Sequence, residues 1–118
     1  MKRVYAPLVI AVLLYAGSAS AEGDAKTGMA LSQTKACGTC HGDDGNAGSD
    51  PQYPRLAGQY ADYIAKALHE YKTDERKNPI MKGFASTLTE ADIENIAAYY
   101  SSLPGSKLTD LHGHIEGE

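Results

Sequence analysis

Two cysteines and a histidine stand together in Cys37-Gly38-Thr39-Cys40-His41, and the chain of 118 residues has no other cysteine. Thiols at this spacing, with an imidazole directly after, serve few chemistries. A dithiol redox site of the thioredoxin type calls for a βαβ setting, and no strand pattern flanks these residues. Zinc calls for four ligands, and His69, His112 and His114 show no second paired spacing. A structural disulfide closing so short a loop restricts the unfolded chain little. The fourth chemistry uses His41 as well, because C-x-x-C-H is the attachment signal for a c-type haem. Thiols one turn apart can reach the two vinyl groups on one side of a porphyrin as thioethers. His41 then lies under the iron and offers an imidazole nitrogen. The pentapeptide is read first as a covalent haem site, ahead of a redox disulfide and of zinc.

The ligand on the other face of the iron decides the function. An open position binds gases or peroxide, whereas two strong protein ligands favour electron movement. The candidates are Met29, Met81, His69, His112 and His114. Met29 precedes Cys37 on the helix leading into the attachment site, and reads as a core residue. His69 falls off the apolar stripe of its helix and reads as solvated. His112 and His114 sit in a polar tail. Met81 occurs in Asn78-Pro79-Ile80-Met81-Lys82-Gly83-Phe84, read as an irregular segment that can fold over the haem face opposite His41. Spacing alone leaves Met81 open between a gap-filling core residue and a ligand. As a ligand its thioether suits Fe(II), so a Met/His pair raises the reduction potential.

These side chains need elements to hold them. Asp24 to Ala36 reads as a helix with Asp24 as N-cap and Ala25, Met29 and Leu31 near one face. Residues 42–58 read as a loop, rich in Gly, Pro and Asp, and so long a loop calls for a reason. Gln59 to about Thr73 is helical, with Tyr60, Ile64, Leu68 and Tyr71 on one stripe, and Asn78-Pro79 closes it off. The last helix opens on Thr89-Glu90-Ala91-Asp92, a capping sequence, with Leu88 placed to staple onto Ile93. Its stripe runs Ile93, Ile96, Ala97, Tyr100, Leu103, and Pro104-Gly105 ends it. The expectation is an all-α domain over residues 22–105, with a polar tail at 106–118.

The start of the chain is an address. Lys2 and Arg3 precede an apolar run from Val4 to Ala16, too short for the ~20 residues that span a bilayer. Ala19 and Ala21 then form an A-x-A site, so residues 1–21 read as a cleaved signal peptide rather than an uncleaved anchor. The expected location is the periplasm, with no membrane insertion of the mature chain. The remaining 97 residues hold thirteen Leu, Ile and Phe and no Val. That share lies below the ~20 % at which globular chains usually begin, so something else must fill the core. Composition also excludes a large enzyme, an all-β sandwich and a multi-disulfide scaffold. Nine bases against fifteen acids argue against nucleic acid as a partner.

On these motifs the chain resembles the class I c-type cytochromes, of the short bacterial kind that also forms each half of dihaem periplasmic cytochromes. The resemblance runs from Asp24 to Leu103. It is carried by Cys37-Gly38-Thr39-Cys40-His41-Gly42, Pro54-Arg55-Leu56-Ala57-Gly58-Gln59, Asn78-Pro79-Ile80-Met81 and the closing Asp92-Ile93 to Leu103. It implies a cytochrome c fold wrapped around one haem c, with the first and last helices crossing near perpendicular. It implies Cys37 and Cys40 as thioether anchors, His41 as proximal ligand and Met81 as distal ligand. Pro54 matches the proline whose carbonyl accepts a hydrogen bond from the other His ring nitrogen. Gly28 matches the glycine where the first helix meets the last, against Tyr99 or Tyr100. Two positions depart from the pattern: one extra residue separates Gly28 from Cys37, and Ser32 stands where a bulky apolar residue is common.

The function expected is one-electron transfer between redox proteins by an Fe(III)/Fe(II) couple, without catalysis by the chain itself. Lys72, Arg76, Lys77 and Lys82 flank Met81 and could form a weakly positive docking rim, although Glu70, Asp74 and Glu75 nearly cancel them. The rivals are an electron-transfer subunit of a larger oxidoreductase, a ligand-binding haem sensor, and a thiol–disulfide protein.

Overall fold

The computed structural model describes residues 22–46, 48 and 50–104. Residues 1–21, read as a signal peptide, the tail expected at 106–118, and with it His112 and His114, lie outside these residues. Five helices and no strand occur among them: α1 (Ala25–Thr34), α2 (Gly38–His41), α3 (Ala61–Lys72), α4 (Pro79–Ala85) and α5 (Glu90–Ser102).

Helix α1 starts where the Thr27 amide donates to the Asp24 carboxylate at 2.6 Å. The Thr27 hydroxyl, and after it this amide, hold the Asp24 carboxyl below its usual range. The face of α1 that packs is only partly the apolar one: Leu31 packs against the core cluster, but Met29 does not follow it. Met29 is 42 % exposed, which corrects its reading as a core residue, and the buried residues are Gly28 and Ser32. The reason is closeness of backbones. A Cβ on Gly28 would run into the Asn95 carbonyl oxygen and stand 2.8 Å from Tyr99 Cβ. The Asp24 amide also donates to Asn95 Oδ1 at 2.7 Å, so α1 and α5 are tied at their crossing.

Helix α5 follows its sequence pattern. The Asp92 amide donates to Thr89 Oγ1 at 3.1 Å, and the Thr89 amide donates to Asp92 Oδ2 at 2.9 Å. These bonds satisfy two amides that a helix start would leave unpaired. Leu88 and Ile93 are buried in one cluster with Ile64, Ala65, Leu68, Ile96, Ala97 and Tyr100. Tyr60 is 61 % exposed and lies outside that cluster.

The segment around Met81 is helical, not irregular. The Asn78 carboxamide oxygen accepts from the amides of Ile80 and Met81, both at 3.0 Å, and Pro79 takes the first position. Asn78-Pro79 therefore opens α4, whereas α3 has already ended at Lys72. Proline needs no amide partner at a helix start, so the same dipeptide that reads as a stop serves as a beginning.

In the long loop, the Gly45 carbonyl accepts from the amides of Leu56 and Ala57 at 2.8 and 3.0 Å. Gly45 has φ +69°, and a Cβ there would stand 2.9 Å from Tyr100 Cδ1. The loop is thereby pressed onto α5.

Two glycines should respond in opposite directions. Gly28→Ala is expected to cost roughly 3 kcal/mol, the upper end for overpacking against backbone. Gly83→Ala, whose Cβ would meet nothing within 4 Å, should stabilise α4 by about 0.5–1 kcal/mol. Denaturant unfolding of the two variants reads both signs. Asp92 is held below its usual range by the Thr89 amide and hydroxyl, so its contribution is present above the unfolded carboxylate pKa. Asp92→Asn should cost about 0.3–1 kcal/mol at pH 7. The gap should close as pH falls below ~3.9 and through the lower folded-state pKa.

Candidate functional site

The attachment turn is built by α2, which starts at Cys37 and lasts one turn. The amides of Cys40 and His41 donate to the Cys37 carbonyl at 3.3 and 3.1 Å, which places both cysteines on one wall. The thiols are free and partly buried. Burial pushes the Cys37 thiol up, an effect opposed by its own amide and by the Tyr100 hydroxyl.

His41 is 7 % exposed, and its Nδ1 lies 2.8 Å from the Pro54 carbonyl oxygen. A carbonyl only accepts, so Nδ1 carries the proton and Nε2 is left with a lone pair. The loop from Gly42 onward exists to deliver this carbonyl, since its folding onto Gly45 sets where Pro54 falls.

Cys37, Cys40 and His41 open onto a crevice of about 290 Å³. Pro54, Arg55 and Leu56 line it from the loop, Tyr63, Ile64, Leu68 and Tyr71 from α3, Ile80, Met81 and Phe84 from α4, and Ile96 and Tyr100 from α5. Met81 thus shares the crevice with His41. His69 and Met29 do not line it, and His69, solvated as its position off the stripe predicts, has its Nε2 3.0 Å from Glu90 Oε2 at the surface.

The lining is selective in charge. It includes Lys35, Arg55 and Arg76 and no Asp or Glu, in a chain whose acids outnumber its bases. Arg76 is fixed there: its Nε donates to Glu70 Oε2 at 3.0 Å, and its guanidinium lies 5.8 and 5.4 Å from the Tyr63 and Tyr71 ring centres. Sequence reasoning placed Arg76 on a docking rim and missed that it lines the crevice. Its spacing to two tyrosines on one face of α3 was the available signal.

The docking rim itself is not positive. Lys77 and Lys82 both lie 3.1 Å from Asp74 Oδ2, Lys72 lies 3.3 Å from Glu90, and Arg76 is taken by Glu70. The mouth is apolar, with Ile80 56 % and Phe84 41 % exposed on α4 and Tyr63 beside them.

A bare metal ion has no cage here: among the described residues no group of three or more His, Cys, Asp or Glu converges. An iron porphyrin fits better. Its flat apolar body matches the aliphatic and aromatic walls, its carboxylates match the cations Lys35 and Arg55 of the lining, with Arg76 already paired to Glu70, and imidazole and thioether are iron ligands.

The comparisons agree with this chemistry. The family model described as cytochrome c matches residues 25–104. Cytochrome c4 of Pseudomonas aeruginosa is 40% identical over 98 residues, covering 80% of this chain and 47% of its own length. Cytochrome c-554(548) of Halomonas halodenitrificans is 42% identical over 83 residues, 68% of this chain and 96% of the relative. A solved cytochrome c4 of Acidithiobacillus ferrooxidans, described as supporting a complex-induced tuning of electron transfer, matches with a TM-score of 0.61 at 38% identity. That match covers 71% of this chain and 53% of the other. The chain spans about half the length of the cytochrome c4 relatives it matches. Four motifs in order, an all-helical fold and a crevice suited to an attached haem meet in one assignment: the chain belongs to the cytochrome c family and has its all-α fold.

Proposed function

We propose that this chain is a one-haem electron carrier of the bacterial periplasm, exported by residues 1–21 and not itself a catalyst. Residues 22–105 form its haem domain. When bound, the haem supplies a one-electron Fe(III)/Fe(II) couple. The residues that hold it are Cys37 and Cys40 as thioether anchors and His41 and Met81 as axial ligands.

The observation that carries this reading is the 2.8 Å contact between His41 Nδ1 and the Pro54 carbonyl. It fixes the ring orientation, keeps the proton on Nδ1 and reserves Nε2 for iron. Met81 belongs to a helix capped by Asn78, so its backbone is set before any ligand arrives. Two protein ligands in place in both oxidation states keep rearrangement small.

The partners are redox proteins that meet the apolar mouth formed by Tyr63, Ile80 and Phe84. Because the neighbouring charges are paired locally, recognition there depends on shape and water exclusion more than on steering. Such contacts are small and transient. The acidic balance of the chain fits no nucleic-acid partner.

Visible spectra of the haem-loaded protein, oxidised and reduced, with and without CO, test the ligands. The natural protein should be low-spin and indifferent to CO. Met81→Ala should lower the reduction potential and admit CO, because a thioether favours Fe(II). An unchanged potential with no CO binding would remove Met81 from the iron. The haem-to-protein ratio should be one, and it should fall when Cys37 and Cys40 are both replaced by Ser.

A further inference from the structure

Helix α4 carries Met81, yet packing grips only one end of it. Its buried residue is Ala85, at the C-terminal end, and Leu88 just beyond is buried in the core cluster. Ile80 and Phe84 are exposed, and a Cβ on Gly83 would meet nothing within 4 Å. Met81, third in the helix, is only partly buried against the cluster. Apolar contact thus fixes the far end of α4 better than the end that carries the thioether.

Ionic contacts hold that end. Asp74 Oδ2 lies 3.1 Å from Lys77 Nζ and 3.1 Å from Lys82 Nζ. Lys77 precedes Met81 by one turn and Lys82 follows it directly, so one carboxylate oxygen ties both flanks of the thioether residue. Asp74 is itself fixed to α3. Its amide donates to the Tyr71 carbonyl at 3.3 Å, and the Arg76 amide donates to the Glu70 carbonyl at 3.0 Å. Its φ is +66°, in the left-handed region that residues other than glycine seldom occupy. The chain leaves α3 through this turn, which brings the carboxylate to α4. Charge balance alone would need neither the unusual backbone nor a shared oxygen.

We propose that Asp74 is a positioning residue for the distal ligand: through Lys77 and Lys82 it clamps the start of α4 to the end of α3 and slows the departure of Met81 from the iron. The inference rests on the proposed role of Met81 as axial ligand. The clamp governs how long the thioether stays, not which atom binds. Exposed ion pairs contribute little to global stability. Local opening is a different motion, because a seven-residue helix gripped at one end can swing without unfolding the domain. A contact at the other end then enters the free energy of that motion directly.

The rate at which the ferric haem protein takes up imidazole at neutral pH reads the departure of Met81. Met81→Ala should take it up far faster than the natural protein. Equal rates would remove Met81 from the iron, and the clamp with it. With Met81 established, Asp74→Asn and Lys82→Gln should each speed uptake by roughly two- to fivefold, the range of an exposed ion pair. Asn tolerates the left-handed backbone as Asp does, so the first variant keeps the turn. The two substitutions change the net charge in opposite directions. A long-range field effect would drive their rates apart, whereas a broken clamp moves both the same way. Glu90→Gln removes a carboxylate that pairs with Lys72 away from α4, with the same charge change as Asp74→Asn, and should leave the rate as it is. Natural rates in both clamp variants, rates that move in opposite directions, or equal acceleration in Glu90→Gln would each overturn the clamp and leave Met81 on the iron. Raised salt screens exposed pairs, so it should quicken uptake more in the natural protein than in Asp74→Asn. Equal salt responses would also overturn the clamp.

Discussion

The site depends on how closely α1 and α5 approach. Gly28 lets the Asn95 carbonyl and Tyr99 Cβ come into contact with the α1 backbone. That contact sets the direction in which α1 hands the chain to Cys37, through a turn in which Ala36 takes φ +55°. It also sets the height of Tyr100 beneath the attachment turn. From Tyr100 the constraint spreads to Gly45 and Gly58, hence to the whole loop, and from the loop to Pro54 and His41. A side chain at position 28 would thus be felt at the imidazole without touching it.

The same geometry explains how so thin a core suffices. Among the described residues the buried apolar cluster is small: Ile64, Leu68, Leu88, Ile93, Ile96 and Tyr100 with Ala65 and Ala97. It lies to one side of the crevice, and Ile64, Leu68, Leu88, Ile96 and Tyr100 each present a surface to that crevice. In a family whose members attach haem covalently, the apolar face of the macrocycle completes what the side chains begin. Burial of apolar surface contributes roughly 25 cal/mol per Å², so a large flat ligand adds more than any one side chain here.

The sequence was legible where function fixes chemistry and where a cap fixes a helix start. The C-x-x-C-H spacing and the Thr89–Asp92 box could be read because each is a local pattern with one dominant physical use, whereas Pro54 and Met81 were singled out only by the family resemblance. What escaped was packing by absence. On α1 periodicity points to Ala25, Met29 and Leu31, yet Gly28 and Ser32 are the buried residues, since contact there rewards small size rather than hydrophobicity; of the two, Gly28 was picked out by the family resemblance and not by the helix pattern. Helix α4 escaped because seven residues containing Pro and Gly carry little helical signal, and its start doubles as a stop. Arg76 escaped because charge invites a surface reading, while two tyrosines and a glutamate turn it into crevice wall.

Charge is organised on two scales here. Around α3 and α4 the cations Lys66, Lys72, Arg76, Lys77 and Lys82 each form an ion pair with a carboxylate, so the field that a partner would sense at a distance is largely cancelled. In the crevice lining the composition reverses, with Lys35, Arg55 and Arg76 and no Asp or Glu. The first arrangement leaves the mouth of the crevice to apolar contact. The second suits a ligand that brings its own negative charge. Arg76 links the two scales: Glu70, the glutamate that pairs with it, lies outside the lining and anchors its guanidinium. The balance of the whole chain therefore says little about the site, and the local arrangement of a few arginines and lysines says most of it.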